Sequence, residues 1–217
     1  MTALALLSGG LDSTVAAALH QARTGPVALG LCVDYGQRAA VPELRAAQAV
    51  GAALRFPVLA TCLPLLAEIT DTALVRRDRP VPHPEPGRLD SAAPASADAV
   101  WVPNRNGVLV NLAAAVAEAR GLRFVIVGFN AEEAATFPDN TPRFVERLNA
   151  CLQDSTRGRV AVVCPTLHLT KAQLLAEGLA VGAPVQFAWS CYEGGERPCG
   201  RCESCLRRER AERAVAG

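Results

Sequence analysis

Ala3-Leu4-Ala5-Leu6-Leu7 runs directly into Ser8-Gly9-Gly10-Leu11-Asp12-Ser13-Thr14. Five apolar residues in a row predict a buried strand, and the residues after the glycines predict a helix over Ser13–Arg23, closed by Gly25. Between the two the chain must reverse sharply. Gly9 and Gly10 supply the freedom for positive φ and let backbone approach a ligand with no Cβ in the way. The helix start then presents free N–H groups, and the positive end of its dipole, to an anion such as phosphate. Ser8, Ser13 and Thr14 add hydroxyls, while Asp12 is placed to cap the helix or to approach a metal ion. The spacing is neither G-x-x-x-x-G-K-S/T nor G-x-G-x-x-G, which sets aside the Walker and dinucleotide readings.

Outward from this turn, strands and helices alternate. The pattern predicts strands at Val27–Val33, Phe56–Ala60, Phe124–Val127 and Val160–Cys164. It predicts helices at Pro42–Ala53, Asn106–Arg120, Thr141–Leu152 and Lys171–Ala180. Such a βαβα order implies an α/β fold, a Rossmann-like parallel sheet with helices on both faces. Ligands of these sheets lie at the carboxyl ends of the strands. Residues 76–99 break the rhythm with Pro80, Pro82, Pro84, Pro86 and Pro94, and read as a surface loop or lid, partly disordered. The expected division is a nucleotide-binding domain over 1–186 and a small zinc-binding knuckle with a C-terminal helix over 187–217.

The chain has 217 residues, half of them hydrophobic, enough for one ordinary core. With 22 Lys and Arg against 21 Asp and Glu, its net charge of +1 gives no drive toward nucleic acid or a membrane surface. No stretch approaches the ~20 apolar residues of a membrane span. The first residues carry no secretory pattern, so a cytoplasmic protein is expected. Eight cysteines then argue for metal or catalysis more than for disulfides.

Four of them form Cys191-x7-Cys199-x2-Cys202-x2-Cys205. Four thiolates in a short loop suit tetrahedral Zn2+, and Pro198-Cys199-Gly200-Arg201-Cys202 has the form of a knuckle. An iron–sulfur cluster is the competing reading, because C-x2-C-x2-C also opens the ferredoxin run. Here the fourth cysteine precedes the trio and no Cys-Pro follows, which favours zinc. The remaining cysteines and His20, His83 and His168 show no nucleophile–base pairing, and Cys164 reads as buried filler.

Lys171 is the only lysine, at a helix start after the fifth strand, placed to neutralise an α-phosphate or a leaving pyrophosphate. Arg105, in Val102-Pro103-Asn104-Arg105-Asn106-Gly107, is placed to clamp a phosphate, with Asn106 as the helix cap. Asp34 follows the second strand and suits a ribose, a base edge or simple turn formation. Phe137 and Asp139 suit stacking on and hydrogen bonding to a flat heterocycle, or a cap for the next helix by Asp139. The C-terminal run Arg201, Arg207, Arg208, Arg210 and Arg213, interleaved with glutamates, reads as a solvated or dimer-forming face.

The glycine turn resembles the S-G-G-x-D-S loop of the ATP pyrophosphatases, which split ATP into AMP and pyrophosphate. Asp34-Tyr35-Gly36-Gln37-Arg38, the Pro103–Gly107 segment and the ending Trp189-Ser190-Cys191-Tyr192 with its knuckle narrow this. Together they resemble one family of that superfamily, the 7-cyano-7-deazaguanine synthases, over nearly the whole chain.

The resemblance implies an adenine nucleotide alpha hydrolase-like fold and a ligase of queuosine and archaeosine biosynthesis. It would use ATP, Mg2+ and Zn2+ to convert 7-carboxy-7-deazaguanine and ammonia to the nitrile through adenylated acid and amide, and act as a homodimer. It carries the ATP loop to Leu7, Ser8, Gly9, Gly10, Leu11, Asp12, Ser13, Thr14, Val15, Ala16 and Ala17, and the zinc ligands to Cys191, Cys199, Cys202 and Cys205. One segment departs from the family: Ala135-Thr136-Phe137-Pro138-Asp139-Asn140-Thr141 stands where many members have S-G-Y-P-D-C-R. If that segment touches the acceptor, the acceptor differs. Two other readings stay open, a tRNA-thiolating relative and a noncatalytic nucleotide-binding zinc protein.

Overall fold

The computed structural model describes residues 2–217. Its centre is a five-stranded, wholly parallel sheet in the order β3-β2-β1-β4-β5. The strands are β1 (Ala3–Leu6), β2 (Val27–Asp34), β3 (Val58–Cys62), β4 (Phe124–Ile126) and β5 (Ala161–Val163). The helices are α1 (Leu11–Arg23), α2 (Ala40–Leu54), α3 (Leu65–Glu68), α4 (Ala93–Val100), α5 (Arg105–Ala119), α6 (Ala131–Ala134), α7 (Pro142–Ser155), α8 (Lys171–Ala180) and α9 (Glu203–Ala216).

Alternation along the strands explains the two covered faces. On β1, Leu4 points into one core with Leu31, Val110, Val125 and Leu148, packed by α5 and α7. Ala3 and Ala5 point the other way, into a core with Ala16, Ala17, Val50 and Phe56, packed by α1 and α2. Each fully buried Leu or Val there contributes roughly 1.5–3 kcal/mol by leaving water. A third cluster, with Val15, Leu19, Leu174 and Ala211, joins α1 to α8 and α9.

The strand order reverses beside β1, between the β1–β2–β3 half and β4–β5. That is where parallel sheets open a crevice at their carboxyl edge. The turn after β1 and the loop after β4 therefore face one another. Gly128 lets them touch: a Cβ there would stand 2.5 Å from the Ser13 amide nitrogen. On the outer side, a Cβ at Gly178 would meet Val15 at 2.6 Å, so α8 lies close against α1.

Several sequence expectations shift. The third strand begins at Val58 rather than Phe56, because Pro57 has no N–H to pair; Phe56 is still buried in the core. The proline-rich stretch is not irregular throughout. It contains a 3-10 turn at Pro86–Arg88 and the helix α4, whose Pro94 sits in the tolerated first turn. It is also tied down. The Arg38 guanidinium donates to the carbonyls of Arg76 and Arg79 and to Glu193 at 2.9 Å. His83 and Glu193 are 3.1 Å apart, and Asp90 accepts from Arg207 and Arg210. The C-terminal arginines are thus not a uniformly solvated face: Arg207 is buried between Glu203, Asp90 and Glu132. Among the described residues no helix is long and apolar enough to cross a membrane.

Candidate functional site

At the carboxyl edge of β1 the glycine turn does two separate jobs. Gly9 has φ +75, and a Cβ on it would strike the Glu43 carbonyl oxygen at 2.4 Å and the Ala47 nitrogen at 2.8 Å. It is glycine so that α2 can close on the turn. Gly10 is extended, with φ −74, which corrects the expectation of two positive-φ glycines. Its bare Cα borders the cavity, with only Ser8 Oγ and the Trp189 carbonyl oxygen within 4 Å of a hypothetical Cβ. Gly10 is also the N-cap of α1, so no side chain covers the helix start, and Asp12 is not the cap. The first in-helix bond is Thr14 N–H to the Gly10 carbonyl. Gly10 N–H donates to Ser8 Oγ at 3.2 Å, and the Leu11, Asp12 and Ser13 amides remain for an anion, with Ser8 Oγ and Ser13 Oγ 3.1 Å apart beside them.

Asp12 turns instead toward α8 and the β4 loop. The Lys171 ammonium donates to Asp12 Oδ2 at 2.9 Å and to Glu133 Oε1 at 3.0 Å, and Asn130 Nδ2 also donates to Asp12 Oδ2. Lys171 is held at the first position of α8 by a capping box, in which Thr170 and Gln173 exchange hydrogen bonds, worth about 1 kcal/mol for the cap. The ammonium is therefore committed to two carboxylates rather than left open to a phosphate. Burial works against its charge, but the two carboxylates outweigh burial and raise its pKa above the ordinary value. Burial pushes Asp12 up to about 6 despite Lys171, while the same ammonium overcomes burial at Glu133 and lowers its pKa. Of the pair, Asp12 takes a proton first.

These groups line a cavity of about 240 Å3. Ser8, Gly10, Leu11, Asp12, Ser13 and Leu7 border it, as expected of the loop. Gly9 and Thr14 do not, and Val15, Ala16 and Ala17 are buried in the hydrophobic clusters behind it. Asp34 is exposed and does not border it; its Oδ1 accepts from Gly36 N–H, the turn-forming alternative.

Tyr35, Arg105, Asn106, Phe137, Asn140 and Tyr192 also border the cavity. Arg105 Nη1 donates to the Tyr35 hydroxyl at 3.3 Å, and its guanidinium lies 5.9 Å from that ring's centre. Phe137 stacks on Trp101, ring centres 6.2 Å apart. Asp139 does not border the cavity, and its Oδ1 accepts from Asn140. Neither proposed cap forms: Asn104 precedes α5, and Thr141 caps α7 through Phe144 N–H.

The knuckle supplies a wall of the same cavity. Trp189 N–H donates to the Gly9 carbonyl at 2.8 Å, and Trp189, Ser190, Tyr192 and Ser204 all border the cavity. Cys191, Cys199, Cys202 and Cys205 bring their sulfurs within 4.8 Å of one another. Tetrahedral Zn–S bonds of about 2.3 Å would set sulfurs about 3.8 Å apart, so the four fit such an ion. Cys199 N–H donates to Cys191 Sγ and Cys202 N–H to Cys199 Sγ, both at 3.3 Å, as thiolate ligands require. Cys164 instead donates to the Phe129 carbonyl, and burial raises its pKa, so it has no thiolate character.

Glu133, Asn130, Tyr192 and the half-buried Glu43, which accepts from Gln37 Nε2 at 2.8 Å, are site residues for which the sequence offered no role. One signal was present. Asn130 caps α6 through Glu133 N–H, and an Asn-x-x-Glu string after a strand marks such a start.

A family model described as "Queuosine biosynthesis protein QueC" matches residues 2–216. The chain is similar to the 7-cyano-7-deazaguanine synthase of Pelotomaculum thermopropionicum, 48% identical over 99% of this chain and 98% of that protein. It is 42% identical to the protein of the same name from Methanosarcina mazei, over 97% of this chain and 93% of that one. Among solved structures, the U34-tRNA thiolase NcsA from Methanococcus maripaludis, with its 4Fe-4S cluster, aligns with a TM-score of 0.50 at 15% identity. That alignment covers 99% of this chain and 72% of the thiolase, and at such identity the likeness concerns the fold alone.

Proposed function

Because the chain belongs to the QueC family of queuosine biosynthesis proteins, we propose that it is an ATP-dependent carbon–nitrogen ligase making 7-cyano-7-deazaguanine from 7-carboxy-7-deazaguanine and ammonia. The route adenylates the acid, lets ammonia displace AMP to give the amide, and adenylates the amide oxygen so that loss of AMP leaves the nitrile. The observation that carries this reading is one cavity bordered both by an uncapped helix start and by aromatic side chains. The uncapped start of α1 suits a polyphosphate, and the rings of Phe137 and Tyr192 suit a flat heterocycle.

A carboxylate oxygen is a poor leaving group, and transfer to AMP makes it a good one. For that transfer the chain has to align the acid with the α-phosphate and hold the departing pyrophosphate. The free amides of the α1 start, with the Ser8 and Ser13 hydroxyls, suit the second task. Asp12 and Glu133 would hold Mg2+, which when bound offsets phosphate charge. Asp12 Oδ1 is buried without a hydrogen-bond partner among the described residues, which fits a cation there. Lys171 fixes both carboxylates, and Arg105, which also borders the cavity, offers the guanidinium that would meet a phosphate. The knuckle cysteines would hold Zn2+, which when bound cross-links the wall at Trp189–Tyr192. No side-chain nucleophile is needed. The eight cysteines, unpaired in the structure, fit a reducing compartment, and the reading includes the cytoplasm and a homodimer.

The test is mass spectrometry of products after incubation with ATP, Mg2+, ammonium and 7-carboxy-7-deazaguanine. Nitrile together with AMP is expected. AMP without amide or nitrile would overturn the reading, and the departure at Ala135–Thr141 makes other heterocyclic acids the first alternatives to offer.

A further inference from the structure

Beside the main cavity lies a second one of about 10 Å3, the room that one water-sized molecule takes. The two share Glu133, Phe137, Lys171, Tyr192 and Ser204, so only a side-chain wall separates them. The small cavity adds Thr136 from the end of the α6 loop and Glu203 and Arg207 from α9. Glu203 and Arg207 are both more than nine-tenths buried and are joined by a 2.8 Å bond from Nε to Oε1.

Charge and size limit what such a space accepts. Lys171 and Arg207 offset Glu133 and Glu203, so the lining is formally neutral and offers no gain for a net charge. Glu203 engages Arg207 through Oε1, which leaves its Oε2 to accept a further N–H. A small, neutral guest that both donates and accepts hydrogen bonds is what fits. Ammonia is such a molecule, and it is the one reactant for which no lining group of the main cavity has been given a role.

We propose that the side cavity admits ammonia to the acyl carbon held in the main cavity, and that Thr136 sets its size. The inference rests on the ligase reading above. In the step it serves, the ammonia lone pair forms the C–N bond. The C–O bond to AMP breaks with its electron pair on the phosphate-bound oxygen, and one N–H proton leaves to solvent.

The experiment gives the wild-type protein ATP, Mg2+ and 7-carboxy-7-deazaguanine with ammonia or methylamine at equal free-base concentration, and reads both amides by mass spectrometry. One added methyl in a fitted pocket is discriminated by roughly 10–200-fold, so ammonia is expected to win by that margin. Thr136→Ala opens the cavity and is expected to raise the methylamide-to-amide ratio about tenfold or more. Thr136→Leu fills it and is expected to raise KM for ammonia about tenfold with little change in KM for ATP. A wild-type protein that couples methylamine as readily as ammonia overturns the proposal, and that arm depends on no variant folding. So do folded Thr136 variants that match the wild type in both ratio and ammonia KM. A protein that forms no pyrophosphate from ATP and the acid, before any amine is added, overturns the ligase reading itself and this inference with it.

Discussion

The Lys171 ammonium lies 2.9 Å from Asp12 and 3.0 Å from Glu133, with only 7% of its side chain exposed. Removing Lys171 would leave the Asp12 and Glu133 carboxylates facing each other without their cation, which typically costs several kcal/mol. The consequence for pH follows from Asp12, whose pKa stands at about 6 instead of the ordinary 3.8. A raised carboxyl pKa means the folded chain holds the proton more tightly than the unfolded one. Ionised Asp12 therefore opposes folding above about pH 6, and that cost is relieved as pH falls toward 3.8. Metal binding runs the other way, because a proton on Asp12 competes with a cation for the same oxygens. The apparent KM for Mg2+ is expected to rise as pH falls through about 6, while kcat at saturating Mg2+ changes less. Rates measured against Mg2+ at several pH values between 5 and 7.5 check this, and a KM flat across that range would contradict it.

The glycine turn divides its work between neighbouring residues, and substitution can separate the two parts. Gly9→Ala would force a left-handed residue and drive a methyl into the backbone of α2. A loss of about 2 kcal/mol or more is expected, or a fall in Tm of about 4–8 °C. Gly10→Ala meets nothing closer than Ser8 Oγ at 3.2 Å and keeps an ordinary φ. It is expected to leave Tm nearly unchanged and to weaken ATP binding on the order of tenfold, since its methyl enters the space beside the helix start. Equal Tm losses in the two variants, with ATP binding intact in the second, would refute that division. The sequence predicted that the turn exists but not this split, because which atoms crowd Gly9 depends on α2, more than thirty residues later. In the same way, α4 was hidden by Pro94 and the prolines that precede it, and Pro57 moved the start of β3 by two residues. Alternating apolar runs announced the other strands, with ends off by a residue or two where pairing partners decide them.

Across the whole molecule, the cysteine cluster and the glycine turn could each be read alone, but their junction could not. Spacing within the knuckle is local, whereas the bond from Trp189 N–H to the Gly9 carbonyl spans 180 positions and leaves no local trace. The same holds for the meeting of Asp12 with Lys171, and for Glu133, whose place depends on strand order. Since Cys191 stands between Trp189 and Tyr192, loss of the metal is expected to loosen the cavity wall as well as the knuckle. Hydrogen exchange should rise at residues 189–192 after chelation, and ATP should no longer protect residues 8–13. Chelated protein that binds ATP as well as before would show the wall to stand without its ion.

The Trp189–Gly9 bond also has a meaning in time. A ribosome adds roughly 5–20 residues per second, so the turn made first waits about ten seconds or more for the residue that closes it. A chain cut short before Trp189 carries the whole S-G-G-x-D-S string yet lacks a wall to hold a nucleotide against it. A chain ending at residue 188 is accordingly expected to bind ATP more weakly than the whole protein, which a titration of the two side by side would check.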